Sequence, residues 1–180
     1  MPVFARTKLV IHEDCLAPAP GSPLPGREII TLNYTGPNPQ NIYPEIKKLF
    51  TTIFKVEEKD VIEREVFWNP DGSFKVAFEV VKDLDKFSFM QFNIDLDGVA
   101  KPSREFGKEG SVKIKIEALL RTEYPQDTIW QRSLFYEIFR VFYHKIVYDK
   151  IRAKYKEQCA QLAKNFQEAL KSFFNVLRTR

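Results

Sequence analysis

His12 and His144 are the only imidazoles in the chain, so acid–base chemistry near neutral pH would rest on one of them or on a perturbed neighbour. His144 has the richer setting. Arg140 lies four residues before it and Tyr143 one before, and on a helix positions 140, 143 and 144 share one face. An imidazole, a guanidinium and a phenol on one face could polarise a bound ligand, or serve a hydrolase or cyclase if all three converge in a cavity. The rest of the catalytic inventory is thin. There is no Gly-rich phosphate loop, no Cys or His cluster with metal-ligand spacing and no Gly-x-Ser-x-Gly turn. No cofactor or metal is expected, and the residues favour a binding domain over an enzyme.

Two acidic pairs, Glu63 with Glu65 and Asp95 with Asp97, put carboxylates two residues apart on predicted strands, a spacing that could hold a cation. Their neighbours on the same faces are polar, so a solvated sheet surface is expected. Cys15 and Cys159 read as two free thiols in a reducing compartment. With no secretory signal and no run of 18 uncharged apolar residues, the chain is expected to be cytoplasmic and without a transmembrane segment.

The formal net charge is +4, but it is unevenly placed. Residues 128–180 carry eleven Lys and Arg against four Asp and Glu, whereas the preceding residues carry 17 basic and 20 acidic side chains. Lys150, Arg152, Lys154, Lys156, Lys164 and Lys171 are therefore the candidate contacts for an anionic partner. Tyr148 and Tyr155 lie among them, which suits RNA or an acidic membrane surface.

The positioning elements follow from hydrophobic period. Residues 4–12 and 28–34 read as strands around a loop, 16–26, that four prolines exclude from regular structure. Ile42, Ile46, Leu49, Phe50 and Ile53 give a short amphipathic helix over about 41–55. Strict alternation over 74–80, 90–96 and 112–120 predicts antiparallel strands with one apolar face, with hairpin turns at 69–72, Asp97-Gly98 and 107–110. Thr128 and Gln131 match a capping box, and no Gly or Pro follows, so one helix of about 50 residues is predicted, which either bends or projects its second half, with residues 150–180 continuing it or turning back as a separate helix. Its half over 129–148 is aromatic nearly all round and is expected to cover the sheet. The half over 150–180 carries a cleaner stripe from Cys159 to Leu177 and would pack on the domain, on a second copy or on a partner.

The predicted fold class is thus α+β: a curved antiparallel sheet with one short helix, and a long C-terminal helix on its concave face. The division is a domain over 1–150 and a basic amphipathic extension over 151–180. In element order, residues 28–148 resemble the helix-grip superfamily of lipid-transfer and polyketide-cyclase-like (START, SRPBCC-type) domains. That resemblance implies an apolar cavity between sheet and helix, lined here by Phe78, Phe92, Ile116, Phe135, Phe139 and Phe142, with Arg140, Tyr143 and His144 nearby. The leading expectation is a non-enzymatic domain holding an apolar small molecule or lipid. The alternative is an interaction protein whose basic C-terminal helix binds RNA or a ribonucleoprotein, an anionic membrane surface, or another subunit, a homodimer included.

Overall fold

A computed structural model describes residues 8–16, 28–103, 107–125 and 128–179. Most of the Pro-rich loop, from position 17 to 26, lies outside the described residues. The chain is α+β, an open six-stranded antiparallel sheet covered on one face by helices.

The strands are β1 (Lys8–Asp14), β2 (Ile29–Pro37), β3 (Val61–Trp68), β4 (Ser73–Asp83), β5 (Ser88–Ser103) and β6 (Gly107–Pro125). Their order is β1-β6-β5-β4-β3, and β2 also pairs with β6. The partners of β1 on β6 are residues 119–125, and those of β2 are 109–117, so the two share one edge end to end. The predicted turn at Asp97-Gly98 is not formed. β5 runs straight through it, with Asp97 opposite Lys75 and Lys113, and Gly98 opposite Phe74 and Val112. The glycine there serves close packing, because a β-carbon would stand 2.6 Å from the Phe74 ring. Likewise β6 already begins at Gly107, so the expected turn at 107–110 belongs to the strand.

The apolar registers all point one way. Val76, Phe78 and Val80, Phe92, Ile94 and Leu96, and alternate residues of β6 from Val112 to Leu120 are buried. The other face is charge-matched across the ladder, with Lys115 opposite Asp95 and Asp97 between Lys113 and Lys75. A bulge between Glu63 and Glu65 splits the other acidic pair: Glu63 takes Lys47 at 2.5 Å and Glu65 takes Lys75 at 2.9 Å. Neither pair converges on a cation.

The buried face is covered by α1 (Ile42–Leu49) with the widened turn over 50–54, and by α3 (Asp149–Arg178). Ile42, Ile46, Phe50 and Phe54 form the inner face of the first, as their spacing requires. Lys82 Nζ donates to the Phe54 carbonyl at 2.6 Å, satisfying an acceptor at that helix end. The stripe of α3 lies in the same core: Cys159, Ala163, Phe166, Leu170, Phe174 and Leu177 are all buried. Phe166 fits against Phe50 at 5.8 Å and Phe54 at 5.2 Å, and Phe54 stacks on Phe92 at 4.3 Å. The buried stripe of α3 between Cys159 and Leu177 thus shares one core with the sheet and α1.

Two further expectations are corrected. Cys15 and Cys159 are joined in a disulfide with their Cα atoms 5.7 Å apart, so they are not free thiols. The single long helix is divided as well. The Thr128–Gln131 box forms, with both reciprocal hydrogen bonds at 3.0 and 3.2 Å, but it caps only a short 3₁₀ turn at Trp130–Arg132. Ser133 is extended and starts α2 (Leu134–Phe142), its hydroxyl accepting from the Tyr136 amide. A widened turn at Tyr143–Val147 then leads into α3.

Candidate functional site

The inward register of β6 changes character at one end. After Val112, Ile114, Ile116, Ala118 and Leu120 come Thr122 and Tyr124, both buried, and Ser88 of β5 lies beside Thr122. Buried hydroxyls need partners, and the helices supply them. Tyr148, at the start of α3, donates to Asp85 at 2.6 Å and is 2.8 Å from Ser88, which is 3.0 Å from Thr122. The protons run in one direction, from Thr122 to Ser88 to Tyr148 to Asp85, because the carboxylate can only accept. Burial pushes Asp85 upward, but hydrogen bonds from Tyr148 and from the amides of Phe87 and Ser88 outweigh it and hold the carboxyl below its ordinary range. Burial, reinforced by the Asp85 charge, raises the Tyr148 phenol far above its ordinary value, so it stays protonated.

His144 is held in a second chain of contacts. Arg152 Nη1 lies 2.6 Å from Nε2, and Tyr124 Oη lies 2.6 Å from Nδ1. A guanidinium has only donors, so Nε2 accepts and the ring proton sits on Nδ1, donated to Tyr124. Arg152 also grips Glu13 of β1 through Nε, at 3.0 Å, and through Nη2. Arg140 places its guanidinium 5.8 Å from the centre of the Tyr124 ring and pairs with Glu137 one turn back. Of the three residues singled out on that helix face, Arg140 and His144 thus converge on Tyr124. Tyr143 instead stacks between Phe139 and Tyr148, at 6.4 and 6.0 Å. Both nitrogens of His144 are engaged by protein, so this cluster anchors the joint between α2, α3 and the sheet rather than presenting a base to a substrate. His12 is exposed on β1, opposite Arg121 of β6.

Burial first and the Arg152 charge second lower the His144 pKa below 6.5. The folded state therefore favours the neutral ring. As pH falls through 6.5 the unfolded chain takes up a proton that the folded chain refuses, and stability declines until the folded pKa is reached. His144→Gln is expected to flatten the slope of denaturation midpoint against pH below 6.5, while the acid limb from Asp85 and other carboxylates stays in place. An unchanged slope would contradict the neutral assignment.

Docking its polar side inward leaves α2 turned inside out. Arg140, Tyr143 and His144 face the protein, and the apolar residues face solvent. Ile129, Trp130, Leu134, Phe135, Ile138, Phe139, Val141, Phe142, Ile146 and Val147 range in exposure from 49 % to 92 %. With about 150–250 Å² for each of the four large aromatics when fully exposed, and less for each of the six aliphatic side chains, these exposures amount to roughly 1,000 Å² of apolar surface. The largest patch on an ordinary monomer is roughly 300–600 Å². An open groove of about 510 Å³ runs along it, lined by Glu137, Ile138, Val141, Phe142, Lys145 and Ile146.

The residues predicted to line a cavity are thus on two surfaces. Phe78, Phe92 and Ile116 are buried beneath α1 and α3, whereas Phe135, Phe139 and Phe142 point outward. The basic candidates Lys150, Lys154, Lys156, Lys164 and Lys171 are exposed on the outer side of α3, and Arg152 is drawn inward to Glu13 and His144. Among the described residues no helix is long and apolar enough to cross a membrane. No protein-family model matches this sequence, and no curated protein matches it at a significant level.

Proposed function

We propose that this chain is an interaction domain whose contact surface is the outward aromatic face of residues 134–147. The carrying observation is the inverted helix: its polar side is tied to Tyr124, and eight of its large apolar side chains are about half exposed or more. Leaving roughly 1,000 Å² of apolar surface in water forgoes about 25 kcal/mol of burial at the usual coefficient of about 25 cal/mol per Å². A surface of that kind marks a site of association. The interaction alternative is favoured over an enclosed apolar ligand because Phe50 and Phe54 pack against Phe166 of α3 where that ligand would lie. It also moves the centre of contact from the basic α3 to the aromatic α2.

The test is site-specific photocrosslinking in the cells that make the protein. A benzophenone amino acid at Phe139 is expected to give discrete adducts with protein or lipid, and the same group at Thr31, exposed on the polar side of the sheet, is expected to give none. Equal labelling at both sites, or none at either, would overturn the assignment.

A further inference from the structure

Resting on that contact face, we infer that its occupant is an anionic lipid surface, with the α2 aromatics seated at the headgroup–acyl boundary and the neighbouring lysines on lipid phosphates. The apolar face and the positive excess of the chain occur together. Residues 128–180 hold eleven Lys and Arg against four Asp and Glu, while the rest of the chain is slightly acidic. Within 128–154 the carboxylates are Glu137, which is held by Arg140, and Asp149, against Lys145, Lys150 and Lys154. Lys145 stands in the groove wall itself, and Lys150 and Lys154 are exposed at the start of α3.

An in-plane membrane helix has this pattern: bulky Trp, Phe and Leu on one side, with cations close enough to reach phosphate. Each lysine near an anionic leaflet adds attraction that falls off within a Debye length. A second copy fits less well. Pairing this face with itself brings two regions of like charge together, and such juxtaposition is disfavoured. Interface cores between proteins are also depleted in lysine, whereas this groove contains one. Here the polar side of the helix is met by the domain instead of by water, so the whole domain would sit on the bilayer with the sheet held above it.

The experiment is co-sedimentation of the full chain with vesicles of equal phosphatidylglycerol and phosphatidylcholine, and with vesicles of phosphatidylcholine alone. Sizing by light scattering is run on the same samples. Partition onto the anionic vesicles is expected to exceed that onto phosphatidylcholine at least tenfold and to fall as salt is raised. The triple variant Phe135→Ser, Phe139→Ser, Phe142→Ser is expected to lose at least tenfold in partition. The variant Lys145→Ser, Lys150→Ser, Lys154→Ser is expected to lose several-fold on anionic vesicles only. Thermal melts establish that both remain folded, and if the aromatic variant does not, the lysine variant and the salt series decide the matter. Equal partition on both lipids, or none on either, would overturn the lipid assignment. If partition is absent while Phe139 crosslinks a protein, or while a dimer forms that the aromatic variant dissolves, the lipid occupant is wrong and the contact face stands. If partition, crosslinks and self-association are all absent, both fall.

Discussion

Phe166→Ala is expected to lower the stability of the fold by about 3–5 kcal/mol, the range for removing a fully buried phenylalanine ring. Phe166 has no exposed surface and sits against Phe50 and Phe54, which in turn pack on Phe78 and Phe92 of the sheet. Truncation would therefore open a cavity at the meeting point of α1, α3 and the sheet, where rings from three elements cannot all move to fill it. At roughly 2–4 °C per kcal/mol for a chain of this size, the thermal midpoint should fall by roughly 10 °C. Phe139→Ala, by contrast, should change stability by no more than about 0.5 kcal/mol, because that ring is already mostly exposed. Equal effects at the two positions, read by thermal or denaturant melts, would mean that the wrong half of the C-terminal segment has been placed on the sheet.

The second large effect concerns the disulfide. Cys15 follows β1 and Cys159 lies in α3, 144 residues apart in sequence, so the bond ties the start of the chain to its last helix. Closing so long a loop restricts the unfolded chain strongly, and its loss is expected to cost about 2–5 kcal/mol. Cys15→Ser and Cys159→Ser remove the same bond, so the double variant should be no less stable than the weaker single one. Reductant should lower the midpoint of the parent protein and leave the variants unmoved. Two thiols that alkylate in the folded protein without reductant, or a midpoint indifferent to reductant, would contradict the pairing.

Much of this architecture is legible in the amino-acid order because period reports burial. The alternation in β4, β5 and β6 states both the strands and which side is wet, and the spacing from Cys159 to Leu177 states which side of α3 is buried. What period does not state is the identity of the surface opposite. Both halves of the C-terminal segment are apolar, and a helix rich in Phe reads the same whether it faces a sheet or an external partner. The signal that decides between them lies elsewhere. Ser88, Thr122 and Tyr124 continue the inward register of the sheet with hydroxyls, so that end of the sheet requires polar partners. Tyr148 and His144 provide them, with His144 held in turn by Arg152, and satisfying them turns the aromatic side of α2 outward. Asp97-Gly98 misleads for a related reason: Asp-Gly is turn chemistry in isolation, but here the glycine makes room for Phe74 and the aspartate faces two lysines. The cysteine pairing depends on tertiary proximity, which spacing does not encode.

The most direct measurement is ¹⁹F NMR of the protein carrying a single 4-fluorophenylalanine at position 139, 142, 166 or 174, recorded in H₂O and in D₂O. The fluorines at 139 and 142 are expected to show the solvent isotope shift of exposed groups, and to lose it when phosphatidylglycerol vesicles are added. Those at 166 and 174 should show none under either condition. Isotope shifts at 166 and 174 with none at 139 and 142 would place the aromatic helix against the sheet and contradict the account.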